Sequence, residues 1–404
     1  MKILFIAPRL PWPLDTGGRL RTFNLFKQLS GFAEMQMVSY SFESRDEEWK
    51  KEIEKLGVKV TLVPARESTF LERAWNIAFK TLPHSIVKYY TPSMKKVLEK
   101  LSKSEHFDAV HIDHIHMAHY NECFKGIPCF LDAHNVEYKI WERCGEVEPM
   151  LVKRMPYFQQ SSKMKTYEAK KTKEFKGVFT CSADDKRILS DLTSGEVPIH
   201  VIPNGVDTEF NSPDPAQDAN EEEAIVFTGS MNWLPNEDAI TFFCGKVLPL
   251  IWEKKGSVKF YVVGKHPSAV IRELAQRDPR VIITGRVDDV RPYIWRSRVS
   301  IVPLRIGGGT RLKILEAMAL SKAIVSTSIG AEGIEYTDGK NILIGDSPRD
   351  FADKVLLVLN DKQRSREIGV DARQFVCGKY DWNIIGQKLK TIYEEPTPCS
   401  ATIK

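Results

Sequence analysis

The chain has 404 residues, more than a single hydrophobic core organises, so two domains are expected. Its 58 lysines and arginines against 53 aspartates and glutamates give a net charge of +5, too small to imply nucleic acid as the partner. The seven cysteines are odd in number and lack C-x-x-C spacing, which argues against a disulfide framework or a cysteine zinc site and for a reduced, cytoplasmic compartment. No apolar run reaches transmembrane length, and the ILFIA run after Lys2 is too short for a signal-peptide core.

In chain order, KILFIA at 2–7 reads as a buried strand, followed by a proline-rich loop and a helix over 19–29. MQMVSY, VKVTLVP, DAVHID and PCFLDA continue as short apolar strands with helical patterns between them. GVFTCSA and IHVIPNG close the first series. Residues 211–223, rich in proline and acidic groups, read as a linker. AIVFTG, VKFYVVG, RVIITG, VSIVPL, AIVST and NILIG then repeat the alternation, and a last helix begins near residue 381. This pattern predicts an α/β chain with two doubly wound, parallel-sheet domains. Ligands of such sheets lie at the carboxyl ends of the strands, so a cleft between facing domains is the expected site.

Several stretches carry chemistry. GGGTRLKILEAMA at 307–319 is a glycine turn that opens a helix. Backbone N–H groups there can approach a phosphate, and Arg311 and Lys313 add charge-assisted contacts to a diphosphate. Glu316, one turn on, can accept two ribose hydroxyls; together these point to a nucleotide carrying its sugar. The competing reading is an ordinary helix start with surface charges. Gly17 and Gly18 either admit a ligand to the backbone or simply cap a helix. FLDAHNVEY places Asp132, His134, Asn135 and Glu137 at a strand end, where His134 either bonds a sugar hydroxyl or is a structural histidine. HIDHIHMAH, with His111, Asp113, His114, His116 and His119, invites a metal, yet its order fits no zinc pattern and strand alternation would split its side chains. No metal is expected, and His114 is the residue of this run that lines the acceptor side. Residues 151–176 carry eight lysines and arginines against two glutamates, either a solvated helix face or an attraction to anionic lipid. Residues 70–90 are rich in aromatics and cations and read as lipid-facing or as an amphipathic helix on its own domain.

Taken together, TGGRLR, LDAHN, PNGVD, GTRLKILEAMALSKAIVST and KYDWNIIGQKL, in this order and across nearly the whole chain, resemble glycosyltransferase family 4, retaining enzymes of the GT-B fold. GSMNWLPNEDAI and HIDHIHMA look closest to sugar transferases of exopolysaccharide and PEP-CTERM export loci. The resemblance implies two Rossmann-like domains, an acceptor-side one over 1–206 to which a helix in 379–404 returns, and a nucleotide-sugar domain over 207–378. It implies transfer of a sugar from a nucleotide-sugar donor to a glycan or polyprenyl-linked acceptor in cell-surface or exopolysaccharide synthesis. The setting would be the cytoplasm, with peripheral contact to an anionic membrane, no metal and no cofactor. His134, Arg311 and Lys313 take the catalytic roles in that reading. Gly17, Gly18, Arg286, Val287, Gly308, Gly309, Thr310 and Glu316 bind the donor, and His114 and Asn135 face the acceptor. Attack comes on the face from which the diphosphate leaves, and the leaving phosphate assists deprotonation of the acceptor.

Two departures from the family pattern stand out. Gly308 occupies the place of the first of two glutamates normally set eight positions apart. The usual Arg and Lys after the first carboxyl-domain strand are absent from GSMNWLPNED, so Arg311 and Lys313 would take over the diphosphate. The alternatives are a nucleotide-sugar epimerase of the same fold and a non-catalytic GT-B partner subunit.

Overall fold

The computed structural model describes residues 1–65, 69, 75, 80–148, 150–218, 220–306 and 310–395. The chain divides into two compact units: Met1–Pro203 together with the chain from Ile385, and Asn204–Ile384.

The amino-terminal unit holds seven strands: β1 (Lys2–Ala7), β2 (Glu34–Ser41), β3 (Lys59–Pro64), β4 (Ala109–Asp113), β5 (Cys129–Ala133), β6 (Gly177–Thr180) and β7 (Ile199–Val201). All pairs are parallel and the order is β3-β2-β1-β4-β5-β6-β7. Helices pack on the sheet, so β1, β4 and β5 are apolar for most of their length and almost wholly buried. The order reverses between β1 and β4, the switch point at which an open α/β sheet binds ligands.

The carboxyl-terminal unit repeats the plan with β8 (Glu222–Thr228), β9 (Lys259–Val263), β10 (Val281–Gly285), β11 (Ser297–Val302), β12 (Ala323–Ser326) and β13 (Leu343–Ile344). They are parallel in the order β10-β9-β8-β11-β12-β13, so the switch point falls between β8 and β11. Each unit is a doubly wound, Rossmann-like sheet.

One local expectation needs correction. The acidic stretch expected as linker to residue 223 ends earlier, because β8 starts at Glu222. Glu222 pairs with Arg296 and Lys259, Glu223 with Lys255 and Arg298, and Glu221 with Arg298. The residues before it are also tied down within this unit. Trp295 Nε1 donates to the Ser212 carbonyl at 3.1 Å, Arg291 to that of Phe210 at 2.6 Å, and Arg373 to that of Asn211 at 3.1 Å.

Of the aromatic-basic segment 70–90, most of 70–79 lies outside the described residues, and its end packs in part on its own unit, while Leu82, Val87 and Tyr90 are exposed. Ile86 is buried, and the Tyr89 carbonyl accepts the hydroxyls of Tyr40 and Tyr120 at 2.7 and 2.8 Å. The helix that follows β11 runs from Leu312 to Ala319, with Arg311 at its cap.

The last helix, Trp382–Glu394, clusters from Ile385 onward with the amino-terminal unit. Tyr393 Oη lies 2.7 Å from His111 Nδ1 inside the sheet's core, and Lys388 Nζ donates to the Val201 carbonyl at 2.7 Å.

Candidate functional site

In the carboxyl-terminal unit the polar side chains gather at the ends of β8 and β11. Gly229 follows β8 with φ +153, and a Cβ there would stand 2.9 Å from both Asn236 Nδ2 and Lys313 Nζ. Gly264, after β9, is tighter still: its Cβ would overlap the Gly229 carbonyl at 1.7 Å. The two glycines let neighbouring strand ends and Lys313 converge. Lys313 Nζ donates to Asn236 Oδ1 at 3.0 Å and lies 3.9 Å from the centre of the Phe227 ring. Burial, reinforced by the charge of Arg311, lowers the Lys313 ammonium to about 7 against the opposing pull of Glu316. Burial in turn raises Glu316, with Lys313 opposing.

The helix Leu312–Ala319 starts here without a side-chain cap among the described residues. Ser268, Ser347 and Asp361 cap three other helices of this unit, whereas those starting at Leu234, Leu248 and Arg291 also lack a side-chain cap. The Ile314 N–H meets the Arg311 carbonyl at 2.9 Å, and the positive end of the helix dipole favours an anion. Thr310 Oγ1, buried just ahead of it, has no partner among the described residues. Arg286 is exposed after β10, whereas Val287 packs with Val290, Tyr293 and Ile294 in a small apolar cluster. Gly308 and Gly309 lie outside the described residues.

In the amino-terminal unit the switch point carries a buried ionic network. Asp113 and Asp132 are direct partners in the β4–β5 register, so their side chains project to the same face. His134 Nε2 donates to Asp113 Oδ1 at 2.8 Å and stands 3.1 Å from Asp132 Oδ2. Arg21, from the helix Gly17–Ser30, donates to both Asp132 oxygens at 2.9 and 2.6 Å and to the Ile202 carbonyl at 2.8 Å. Thr22 and His114 Nδ1 complete Asp113, each at 2.9 Å from Oδ2.

Two cations and two carboxylates thus neutralise one another where water does not reach. Burial alone would discharge His134, but Asp113 and Asp132 outweigh it and push the imidazole up to about 9. Burial would likewise protonate Asp132, yet Arg21 and His134 hold it well below the usual carboxylate range. Asp113 and Asp132 engage Nε2 and favour the charged imidazole, and Nδ1 is the ring nitrogen they leave.

His114 follows directly with φ +69, and its ring stacks on that of His134 at 3.5 Å. With Nδ1 fixed on Asp113, its Nε2 is the atom available to an acceptor hydroxyl. Asn135 is half-buried beside it. Gly17 and Gly18 form the first turn of their helix, and the cap is Thr16, whose Oγ1 accepts from Arg19 N–H at 3.4 Å. A Cβ on Gly18 would meet nothing within 4 Å.

The histidine run is dispersed by its own fold. His111 is a neutral core residue stacked between Phe5 and Phe179, lowered to about 4 by burial, and His119 packs against Tyr90 and Tyr120. Two donor sets do lie within 4.8 Å among the described residues: Asp113, His114 and His134, and His111, Asp113 and Asp132. The first depends on His134, which spacing within the run does not reveal. Its atoms sit at hydrogen-bond separation from one another. Arg21, Thr22 and Asn236 carry this geometry and were not singled out by sequence, and Asp113 was named only within the histidine run.

Residues 47–210 match the family model described as Glycosyltransferase Family 4, and residues 222–361 the one described as Glycosyl transferases group 1. A Klebsiella pneumoniae protein, described as an uncharacterized 44.6 kDa protein in the cps region, is 23% identical over 94% of this chain and 96% of its own length. A GDP-mannose-dependent alpha-(1-6)-phosphatidylinositol monomannoside mannosyltransferase of Mycobacterium tuberculosis is 24% identical, over 47% of this chain and 54% of its own length. Among solved structures, Anabaena Alr3699/HepE in complex with UDP and glucose is similar with a TM-score of 0.69 at 13% identity, covering 98% of this chain and 100% of that one. Sucrose-phosphate synthase of Thermosynechococcus elongatus gives 0.70 at 14% identity, covering 97% and 98%. The structural likenesses show the two-domain, Rossmann-like GT-B fold. With the two family matches they support a GT-B glycosyltransferase of the family 4/group 1 class.

Proposed function

We propose that the protein transfers a sugar, with retention at the anomeric carbon, from a nucleoside diphosphate donor to a glycan or polyprenyl-linked acceptor in cell-surface polysaccharide synthesis. The observation that carries this reading is the convergence of Thr310, Arg311, Lys313 and Glu316 on an uncapped helix start at the β11 switch point. Glu316 accepts the ribose hydroxyls. Thr310, Arg311, Lys313 and the helix N–H groups neutralise the diphosphate, both bound and leaving. Gly308 and Gly309 offer backbone N–H to the donor, Gly17 and Gly18 a helix start to its phosphates, and Arg286 and Val287 flank the base.

The charged His134 donates from Nδ1 to a sugar hydroxyl. His114 and Asn135 receive the acceptor, His114 Nε2 taking a hydrogen bond from the hydroxyl that attacks. The leaving phosphate, on the same face, receives its proton. The GDP-mannose dependence of the mycobacterial relative and UDP in the Anabaena structure support the donor class without choosing the base.

The test is turnover of UDP-, GDP- and ADP-sugars by purified protein with and without a lipid-linked saccharide acceptor, with product configuration read from the anomeric proton coupling. Transfer with unchanged configuration is expected. An inverted product refutes retention, and release of an epimerised sugar without acceptor assigns the protein to the epimerases.

A further inference from the structure

The stretch GSMNWLPNED, residues 229–238, follows β8 at the switch point and contains no lysine or arginine. Its backbone is fixed from within the unit. Gly229 N–H donates to the Val263 carbonyl at 3.0 Å, and Met231 N–H to that of Lys265 at 2.9 Å. The Met231 side chain is buried in the core of the unit. Asn236, also buried, donates from Nδ2 to the Ser230 carbonyl at 2.8 Å and accepts Lys313 Nζ on Oδ1 at 3.0 Å. The loop and Lys313 are therefore one assembly.

What this assembly leaves outside is apolar. Trp233 and Leu234 stand 63% and 65% exposed, while Met231, Pro235 and Asn236 around them are buried. A lone exposed leucine is ordinary, but a fixed loop that holds an indole outward beside a ligand site is not. Trp233 directly precedes the helix Leu234–Phe242. That helix and Leu312–Ala319 start at the carboxyl ends of β8 and β11, which pair in the sheet. The indole thus stands on the edge where an open α/β sheet takes its ligand. Next to it, Ser230 Oγ donates to Asn232 Oδ1 at 2.8 Å, which leaves the Asn232 amide nitrogen to donate elsewhere.

A flat apolar face with an amide donor at its rim suits a pyranose ring, which carries C–H bonds on one face and hydroxyls around its edge. Without a cation, the outer side of the loop offers a phosphate no counter-charge. An anionic surface is disfavoured too, because the next charges along the helix are Glu237 and Asp238, the latter paired with Arg305. We propose that Trp233 is a sugar-binding residue whose indole takes the C–H face of the pyranose lying beside the diphosphate. In a transfer reaction that ring is either the donor's sugar or the sugar that accepts it. The inference deepens the glycosyltransferase reading and rests on it.

The test sets wild type beside Trp233→Ala and Trp233→Phe. Calorimetry compares UDP, GDP and ADP with UDP-glucose, GDP-mannose and ADP-glucose, and steady-state transfer to a lipid-linked saccharide gives KM for donor and acceptor. Position 233 is exposed, so both variants should keep the wild-type circular dichroism and bind the bare diphosphate as wild type does. With the donor's sugar on the indole, Trp233→Ala binds the nucleotide sugar about tenfold more weakly. With the accepting sugar there, the acceptor KM rises by about tenfold and the donor KM is unchanged. Trp233→Phe, which keeps a ring, recovers most of the loss in either case. Unchanged donor affinity and acceptor KM in Trp233→Ala overturn the proposal. Equal weakening of bare and sugar-bearing nucleotide overturns it as well and gives the indole to the base. Wild type that binds no nucleoside diphosphate and transfers no sugar refutes the enzyme reading and the subsite with it, whereas normal transfer by both wild type and Trp233→Ala refutes the subsite alone.

Discussion

Replacing His134 by Gln removes one of two buried cations, leaving Arg21 on Asp132 and only Thr22 and His114 on Asp113. The rise of the imidazole from 6.5 to about 9 corresponds to about 3 kcal/mol of favourable interaction with its surroundings. Breaking a buried pair by deleting one partner costs about 3–5 kcal/mol, in the same range. His134→Gln should therefore destabilise the amino-terminal unit by about 3 kcal/mol or more. Adding Asp113→Asn restores charge balance, so the double variant should be more stable than His134→Gln alone. Urea unfolding followed by circular dichroism, with the transitions of the two units fitted separately, provides the measurement.

The pH dependence carries a sign as well. The folded value lies above the unfolded one, so the stabilisation is complete below about 6.5 and is lost as pH rises through about 9. The gap between wild type and His134→Gln should narrow over that window. A double variant as unstable as the sum of its parts, or a gap that widens with pH, would refute the charged imidazole between two carboxylates.

Lys313, lowered to about 7, should bind diphosphate best when protonated, so affinity should fall as pH rises through neutrality. Lys313→Arg, charged at every pH, should flatten that profile in calorimetry; an unchanged profile would move the titration elsewhere. Gly18→Ala should stabilise its helix by up to about 1 kcal/mol, since its Cβ meets nothing within 4 Å, yet weaken donor binding. If donor affinity is untouched, the glycine serves the helix alone. Transfer should survive EDTA, and loss on chelation restored by one metal would reassign Asp113, His114 and His134 as ligands.

All thirteen strands among the described residues are legible in the sequence, because parallel strands covered on both faces must be short apolar runs and the helices between them are not. β8 is mistaken at its start: Glu222 and Glu223 look like linker by composition, while Arg296, Arg298 and Lys255, which pair with them, lie far along the chain. The site divides in the same way. Lys313 and Glu316 share one helix, so their spacing shows them together. The Asp113–His134–Asp132–Arg21 network exists only once β4 pairs with β5 and the helix Gly17–Ser30 crosses them. Counting charges along 151–176 misses both the lysines already paired and the apolar side chains on the outer face, because neither is visible until the packed face is known.

The central claim is that a nucleoside diphosphate sugar is held at the β11 switch point by its ribose and its diphosphate. Titration of UDP, GDP and ADP into wild type and Glu316→Ala by calorimetry tests it most directly. One diphosphate should bind to wild type, and Glu316→Ala, still folded, should bind it about 1–3 kcal/mol more weakly, the cost of losing hydrogen bonds to a charged acceptor. Wild type that binds none of the three, or a folded Glu316→Ala that binds as tightly as wild type, would contradict the account.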